Sequence, residues 1–187
     1  MKAYPRTGLN PQQRTSAALL EWTFQNVVDG AAFPLHDPVF NQFSGLQLEF
    51  VNFLTQTHPV RNSRDVENYL ARLGLIAPLL DEGIVDARAA AQEGLSPPRF
   101  IVQRMIEQLD GFLMHLPKDN VFVGSLNSRI GLLGTAISAE ERAAFVAAAE
   151  KIAAESVVPA FARVRALLAA QLPRTTDDAG VWRLPRG

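Results

Sequence analysis

The sequence predicts an all-α fold, and three observations support this prediction. Apolar residues repeat at steps of three and four over several long stretches, as they do on the buried face of a helix. These stretches begin at residues that commonly cap helices and end at glycine or proline. No stretch alternates apolar and polar residues, as a half-buried strand would. We therefore expect about five helices in an irregular bundle.

The longest apolar stripe predicts a helix over residues 63–93, on which the other helices pack. Asn62 and Ser63 are suited to cap its start, and Gly94 is suited to end it in the left-handed conformation. Pro78 lies inside this helix. We expect a kink there, because proline removes one backbone hydrogen bond and crowds the preceding turn.

The residues before this helix predict two shorter helices. Asn10 is suited to cap a helix over residues 11–30, which starts with a proline. Ser44 and Gln47 have the spacing of a capping box and therefore predict a second helix. This helix should end before Pro59, since the residue preceding a proline disfavours the helical conformation.

Two further helices are predicted after the central one. Ser96 is suited to cap a fourth helix. Residues 138–141 form a capping box and predict a helix over 139–172, which Pro159 should bend. Residues 118–137 have apolar residues at helical spacing, but three glycines weaken the prediction of a helix there.

We expect a loose leader at residues 1–10, one helical domain at 11–173 and an extended tail at 174–187. Trp182 and Leu184 are apolar residues in this otherwise polar tail. They are candidates for docking onto this domain or onto a following portion of a longer protein.

Composition excludes several classes of protein. The 187 residues carry 18 basic and 19 acidic side chains, so no basic surface for nucleic acid is expected. The absence of cysteine excludes disulfides and cysteine-bound metals. No apolar run is long enough to span a membrane, and the first residues lack the apolar core of a signal peptide. As given, the sequence predicts a soluble cytoplasmic protein, or a periplasmic one if an upstream signal was removed.

The sequence contains no pattern that points to self-contained catalysis or to a metal site. The histidines His36, His58 and His115 lack the spacing of zinc ligands. The acidic residues that stand next to one another in sequence would diverge on a helix and are poorly placed for joint acid–base chemistry. We therefore predict no catalytic residue, no metal ligand and no cofactor in this chain.

One segment, residues 53–62, gathers polar side chains where two helices meet. His58, Arg61 and Asn62 in this segment are our candidates for lining a substrate groove. The alternative interpretation is a hydrogen-bonded corner that sets the angle between the two helices.

Five segments together resemble the amino-terminal part of the bacterial DUF885 family. They are FLTQTHPVRN (53–62), NYLARL (68–73), GLSPPRFIVQRMIEQL (94–109), SVVPAF (156–161) and DDAGVWRLPRG (177–187). Members of this family are longer, largely helical chains that are similar to zinc metallopeptidases of the gluzincin type. Their metal-binding segment lies in the carboxy-terminal part, so the resemblance implies zinc in a full-length parent but no metal ligand or catalytic residue here.

The leading hypothesis is therefore an amino-terminal scaffold or substrate-cleft domain of a metallopeptidase-like hydrolase, inactive alone. Its expected partner is the carboxy-terminal catalytic portion, and the fragment alone is a candidate for self-association. The alternative is a free-standing helical module that binds a protein or peptide. An autonomous enzyme is the least favoured hypothesis, because no group of residues supports it.

Overall fold

A computed structural model describes residues 7–185, and these residues confirm the all-α prediction. The α-helices in the described part are α1 (Pro11–Gly30), α2 (Leu46–Asn52), α3 (Ser63–Gln92), α4 (Arg99–Leu113), α5 (Val121–Gly131), α6 (Ala139–Ile152) and α7 (Val158–Gln171). Residues 1–6 of the predicted leader and 186–187 of the predicted tail lie outside the described residues. The chain divides into two compact units, Met1–Asp37 and Pro38–Gly187.

The described part of the first unit contains α1, and the predicted cap is present at its start. The Asn10 side chain accepts a hydrogen bond from the Gln13 backbone N–H at 2.8 Å. The Gln13 side chain in turn accepts one from the Asn10 N–H at 2.9 Å, which completes a capping box. Two backbone donors at the free end of the helix are thereby satisfied.

The second unit is built around α3, whose predicted apolar stripe is buried. Helices α2, α6 and α7 contact α3, and α4 packs against α7. The buried apolar side chains of the stripe are Val66, Tyr69, Leu73, Ile76, Leu80 and Ile84. The helix continues through Pro78 on its exposed face. The backbone carbonyl that lacks a partner because of this proline belongs to Gly74, which is also exposed to solvent.

The end of α3 follows the prediction in detail. Gly94 has φ of 79°, and its N–H donates to the Ala91 carbonyl at 3.2 Å. The N–H of Leu95 donates to the Ala90 carbonyl at 2.8 Å, and the Leu95 side chain is buried. This pair of bonds is the Schellman motif, which satisfies the last carbonyls of a helix.

The predicted helix over residues 139–172 is divided into α6 and α7 by a π turn at Ala153–Val157. The Val158 N–H donates to the Ala153 carbonyl, five residues back. Pro159 has no N–H, so the regular ladder is interrupted at this point, and the wider turn accommodates one additional residue. The capping box at residues 138–141 is present, as predicted.

Two arginines on α7 hold it between α3 and α4. Arg163 donates through Nε and Nη2 to the two carboxylate oxygens of Asp81 on α3, both at 2.8 Å. Arg165 does the same to Asp110 on α4, at 2.8 and 3.3 Å. The paired guanidiniums lower the pKa of both carboxylates. Because all four side chains are about half exposed, these pairs orient α7 more than they stabilise the fold.

A helix does form where the sequence signal was weak, at α5. The Asn120 side chain caps it by accepting from the Phe122 N–H at 3.1 Å. The Phe122 carbonyl accepts a hydrogen bond from the buried Tyr69 hydroxyl at 2.9 Å, which ties α5 to α3. Burial raises the pKa of Tyr69, so the hydroxyl remains a donor even above the pH at which an ordinary tyrosine ionises.

The predicted capping box at the start of α2 is wrong. The cap position is Gly45, and no side chain caps the helix. The Ser44 N–H and hydroxyl bond instead to the Asn41 side chain, and the Gln47 amide donates to the Asn41 carbonyl at 2.7 Å. Asn41 thus takes up both groups that the capping box would have used.

Gly45 gives a first testable prediction. A Cβ at this position would collide with the backbone N and O of Asn41 and with Oε1 of Gln47. Gly45→Ala should therefore lower the free energy of unfolding by about 1–3 kcal/mol in urea titrations. Gly74→Ala is the control, because Gly74 is helical and its Cβ would meet nothing within 4 Å. This control should raise the stability by up to about 1 kcal/mol, and equal effects of both substitutions would contradict the interpretation.

Candidate functional site

The predicted groove residues lie at the corner between α2 and α3. There α2 passes into a π turn at Phe53–Thr57, and the His58 N–H donates to the Phe53 carbonyl at 2.7 Å. Arg129 of α5 donates to the carbonyls of Leu54, at 2.9 Å, and of His58. The carbonyls left free at this helix end are therefore satisfied by a charged side chain from another helix.

His58 is turned into this corner, and 1% of its surface is exposed. Its ring packs edge-on against Tyr69 and Phe53, with centroids 5.4 and 6.1 Å away. Neither ring nitrogen has a hydrogen-bond partner among the described residues. Burial lowers the pKa of His58, and the nearby charges of Arg72 and Arg129 lower it further. The Pro59 backbone and the charge of Asp65 raise the pKa in part, but burial is the largest cause, and the corner therefore favours the neutral imidazole.

Asn62 and Arg61 occupy the outer part of the corner. The Asn62 side chain caps α3 by accepting from the Asp65 N–H at 2.9 Å. Arg61 is largely exposed, and its Nε lies 2.9 Å from Oδ2 of Asp65. This contact lowers the pKa of Asp65.

The structure therefore brings all three candidate residues together, but it gives each a different surrounding. His58 faces the interior, Asn62 is engaged as a helix cap, and Arg61 presents its guanidinium to solvent. Their assignment to a substrate groove stays a prediction.

An apolar surface that sequence reasoning missed lies beside this corner. Phe53 is 42% exposed, and Cζ of Arg72 lies 5.5 Å from the centroid of its ring. Leu75 and Leu79 follow Arg72 on the same face of α3 and are 56% and 40% exposed. The sequence did contain a sign of this surface, because Leu75 and Leu79 fall outside the apolar stripe that predicts the buried face of α3. We call Phe53, Leu75 and Leu79 the corner patch.

The predicted tail folds back onto the start of α4. Arg99 donates through its side chain to the Thr175 carbonyl at 2.7 and 3.2 Å, and its N–H donates to the Thr176 carbonyl at 2.8 Å. This backbone bond replaces the predicted Ser96 cap, which is wrong: the cap position is Pro98, without a side-chain bond.

Of the two predicted docking residues in the tail, Trp182 is 76% exposed and Leu184 is half-buried. The Trp182 indole N–H donates to Asp178 at 3.3 Å. Their role in docking a further portion of protein stays a prediction.

Within residues 7–185, no group of three His, Cys, Asp or Glu side chains is placed to hold a metal ion. The described residues do not fit a zinc site, and we assign no step through zinc to them. In the same part of the chain, no helix is both long and apolar enough to cross a membrane.

The family model described as "Bacterial protein of unknown function (DUF885)" matches residues 1–187. The chain belongs to the DUF885 family. Its fold is similar to a crystal structure described as that of "the putative lipoprotein from Colwellia psychrerythraea", with a TM-score of 0.76 and 20% identity. The similarity covers 79% of this chain but 25% of that one, so this chain spans about a quarter of the length of the neighbour. No curated protein matches the sequence.

The buried His58 leads to a prediction about pH. Its pKa is below the ordinary value of 6.5, so the unfolded chain binds the proton more readily than the folded chain does. The stabilising contribution of the neutral ring is complete above pH 6.5 and is lost as the pH falls below it. Between about pH 7.5 and about pH 5.5, urea titrations should show a loss of up to about 1.4 kcal/mol from this group.

Two variants separate this effect from other titrations. His58→Leu should abolish most of the pH dependence over that range, and His115→Gln, at an exposed position, should preserve it. An unchanged slope in His58→Leu would contradict the assignment.

Proposed function

We propose that this chain is a helical scaffold domain of a longer metallopeptidase-like hydrolase of the DUF885 family and is inactive alone. In this proposal the domain braces the catalytic portion and forms one wall of its substrate cleft, with residues 53–62 at that wall. Zinc would be held by the catalytic portion.

The observation that carries the proposal is the relation of this fold to its solved neighbour. Most of this chain has the same fold as about a quarter of a longer chain, so such a helical unit occurs as one part of a larger protein. The hydrolase assignment depends on the resemblance of the five sequence segments, since structural similarity at 20% identity concerns the fold alone.

The corner patch supports the position of the interface. An exposed apolar surface on a soluble domain is typical of a contact with another protein portion. Phe53 of the patch belongs to the polar corner of residues 53–62, so a catalytic portion seated on the patch would contact this corner. A contact of this kind favours a wall of a cleft over a distant brace.

The same neighbour bears on location. It is described as a lipoprotein, and this favours the periplasmic alternative for the longer protein that we propose.

The size of the native protein in its source cells tests the proposal directly. Peptides of this chain, identified by mass spectrometry after gel separation, should migrate with a protein much larger than 20.5 kDa. Migration near 20.5 kDa would overturn the proposal and favour the free-standing module that binds a protein or peptide.

The corner patch provides a second test. In the longer protein, Leu75→Asp and Leu79→Asp would place a charge in a buried contact and should clearly lower the midpoint temperature of unfolding. In the 187-residue chain, where both positions are exposed, the same substitutions should change the midpoint by no more than about 3 °C. Equal changes in both proteins would exclude the patch as the interface.

A further inference from the structure

A cavity of about 550 Å³ lies at the end of α3, entirely within the second unit. The end of α3, the start of α4, the end of α7 and the tail form its walls. Three arginines line it: Arg88 of α3, Arg174 after α7 and Arg183 of the tail. None of the described residues that line it is an aspartate or a glutamate.

None of these three arginines makes an ion pair with a described residue. Arg88 and Arg174 are exposed, and neither makes an ion pair or a side-chain hydrogen bond within residues 7–185. Arg183 donates one bond, from Nη2 to the Ser96 carbonyl at 2.8 Å. Its Nε is buried without a partner, although buried guanidinium groups are ordinarily satisfied.

The two acidic residues of the tail contact groups other than these three arginines. Asp177 lies 4.0 Å from Arg99. Asp178 accepts hydrogen bonds from the Gly180 N–H and from the Trp182 indole. The cavity therefore concentrates three positive charges that lack a carboxylate partner from the described chain.

The walls of the cavity are held in place from several sides. The bonds from Arg99 to Thr175 and Thr176 fix the tail against α4, and the Schellman turn at Gly94 fixes the end of α3. The side chains of Leu167 and Pro97 add apolar surface between the charged groups. A fixed cavity with a few polar groups on an apolar lining is typical of sites for small molecules, which measure roughly 300–1,000 Å³.

We propose that this cavity binds a small polyanion that carries carboxylate or phosphate groups. Guanidinium groups match both kinds of group with paired hydrogen bonds, and the charges of Arg88, Arg174 and Arg183 favour a ligand with more than one negative charge. This proposal is independent of the function proposed above, because the site is contained in this chain.

Isothermal titration calorimetry on the 187-residue chain at constant ionic strength tests the site. Pyrophosphate and citrate serve as the phosphate and carboxylate probes, and the tighter of the two identifies the chemistry that the site prefers. We expect saturable binding of one molecule per chain. Arg88→Gln and Arg174→Gln should each weaken it at least about tenfold, since each removes a charge-assisted contact.

Arg64→Gln is the matched control. Arg64 is an exposed arginine on the same helix, paired with Glu67 and about 36 Å along α3 from Arg88. The control should bind as the unchanged protein does. The absence of saturable binding by both probes, or equal weakening by Arg64→Gln, would overturn the proposal. Neither result depends on the native size of the protein, so the scaffold proposal is tested separately.

Discussion

Burial of the apolar stripe on α3 is the constraint on which the second unit depends. One helix cannot bury its own stripe, so α6 and α7 pack along it, and α4 is held through its contact with α7. The Tyr69 hydroxyl adds a specific link, because it can donate to the Phe122 carbonyl only when α5 lies correctly against α3. The positions of the helices that contact α3 therefore depend on the apolar pattern of this single helix.

The two ends of α3 have different chemistry. Beside its start lies a buried neutral imidazole, and the corner patch extends from there to the middle of the helix, which suits contact with another protein portion. Its end has three arginines around a cavity, which suits a small charged ligand. A rigid helix keeps these two regions at a fixed separation, so one domain can present both surfaces at the same time.

Local signals predicted local structure well. The caps at Asn10, Asn62 and Ser138 and the left-handed Gly94 depend on neighbours in sequence, and all four are present. The predictions that failed did so because a more distant group intervened. The side chain and carbonyl of Asn41 bind the groups that the predicted cap of α2 would have used, and the Thr176 carbonyl of the tail replaces the predicted cap of α4.

The candidate site also combines local and distant causes. Its location at a helix corner could be predicted from the sequence, but the inward direction of His58 depends on tertiary packing. The arginine cavity joins residues far apart in sequence, and no local pattern indicates it.

The π turn between α6 and α7 has a consequence for the way length changes act on this fold. Each residue rotates a helix by about 100°, so one additional residue at Ala153–Val157 shifts the phase of everything after it. Helix α6, which precedes the turn, contacts α5, and helix α7, which follows it, contacts α4. Both α6 and α7 also contact α3. An insertion or deletion of one residue in this turn would therefore rotate α7 about its own axis. The rotation would direct Arg163 and Arg165 away from the carboxylates of Asp81 and Asp110.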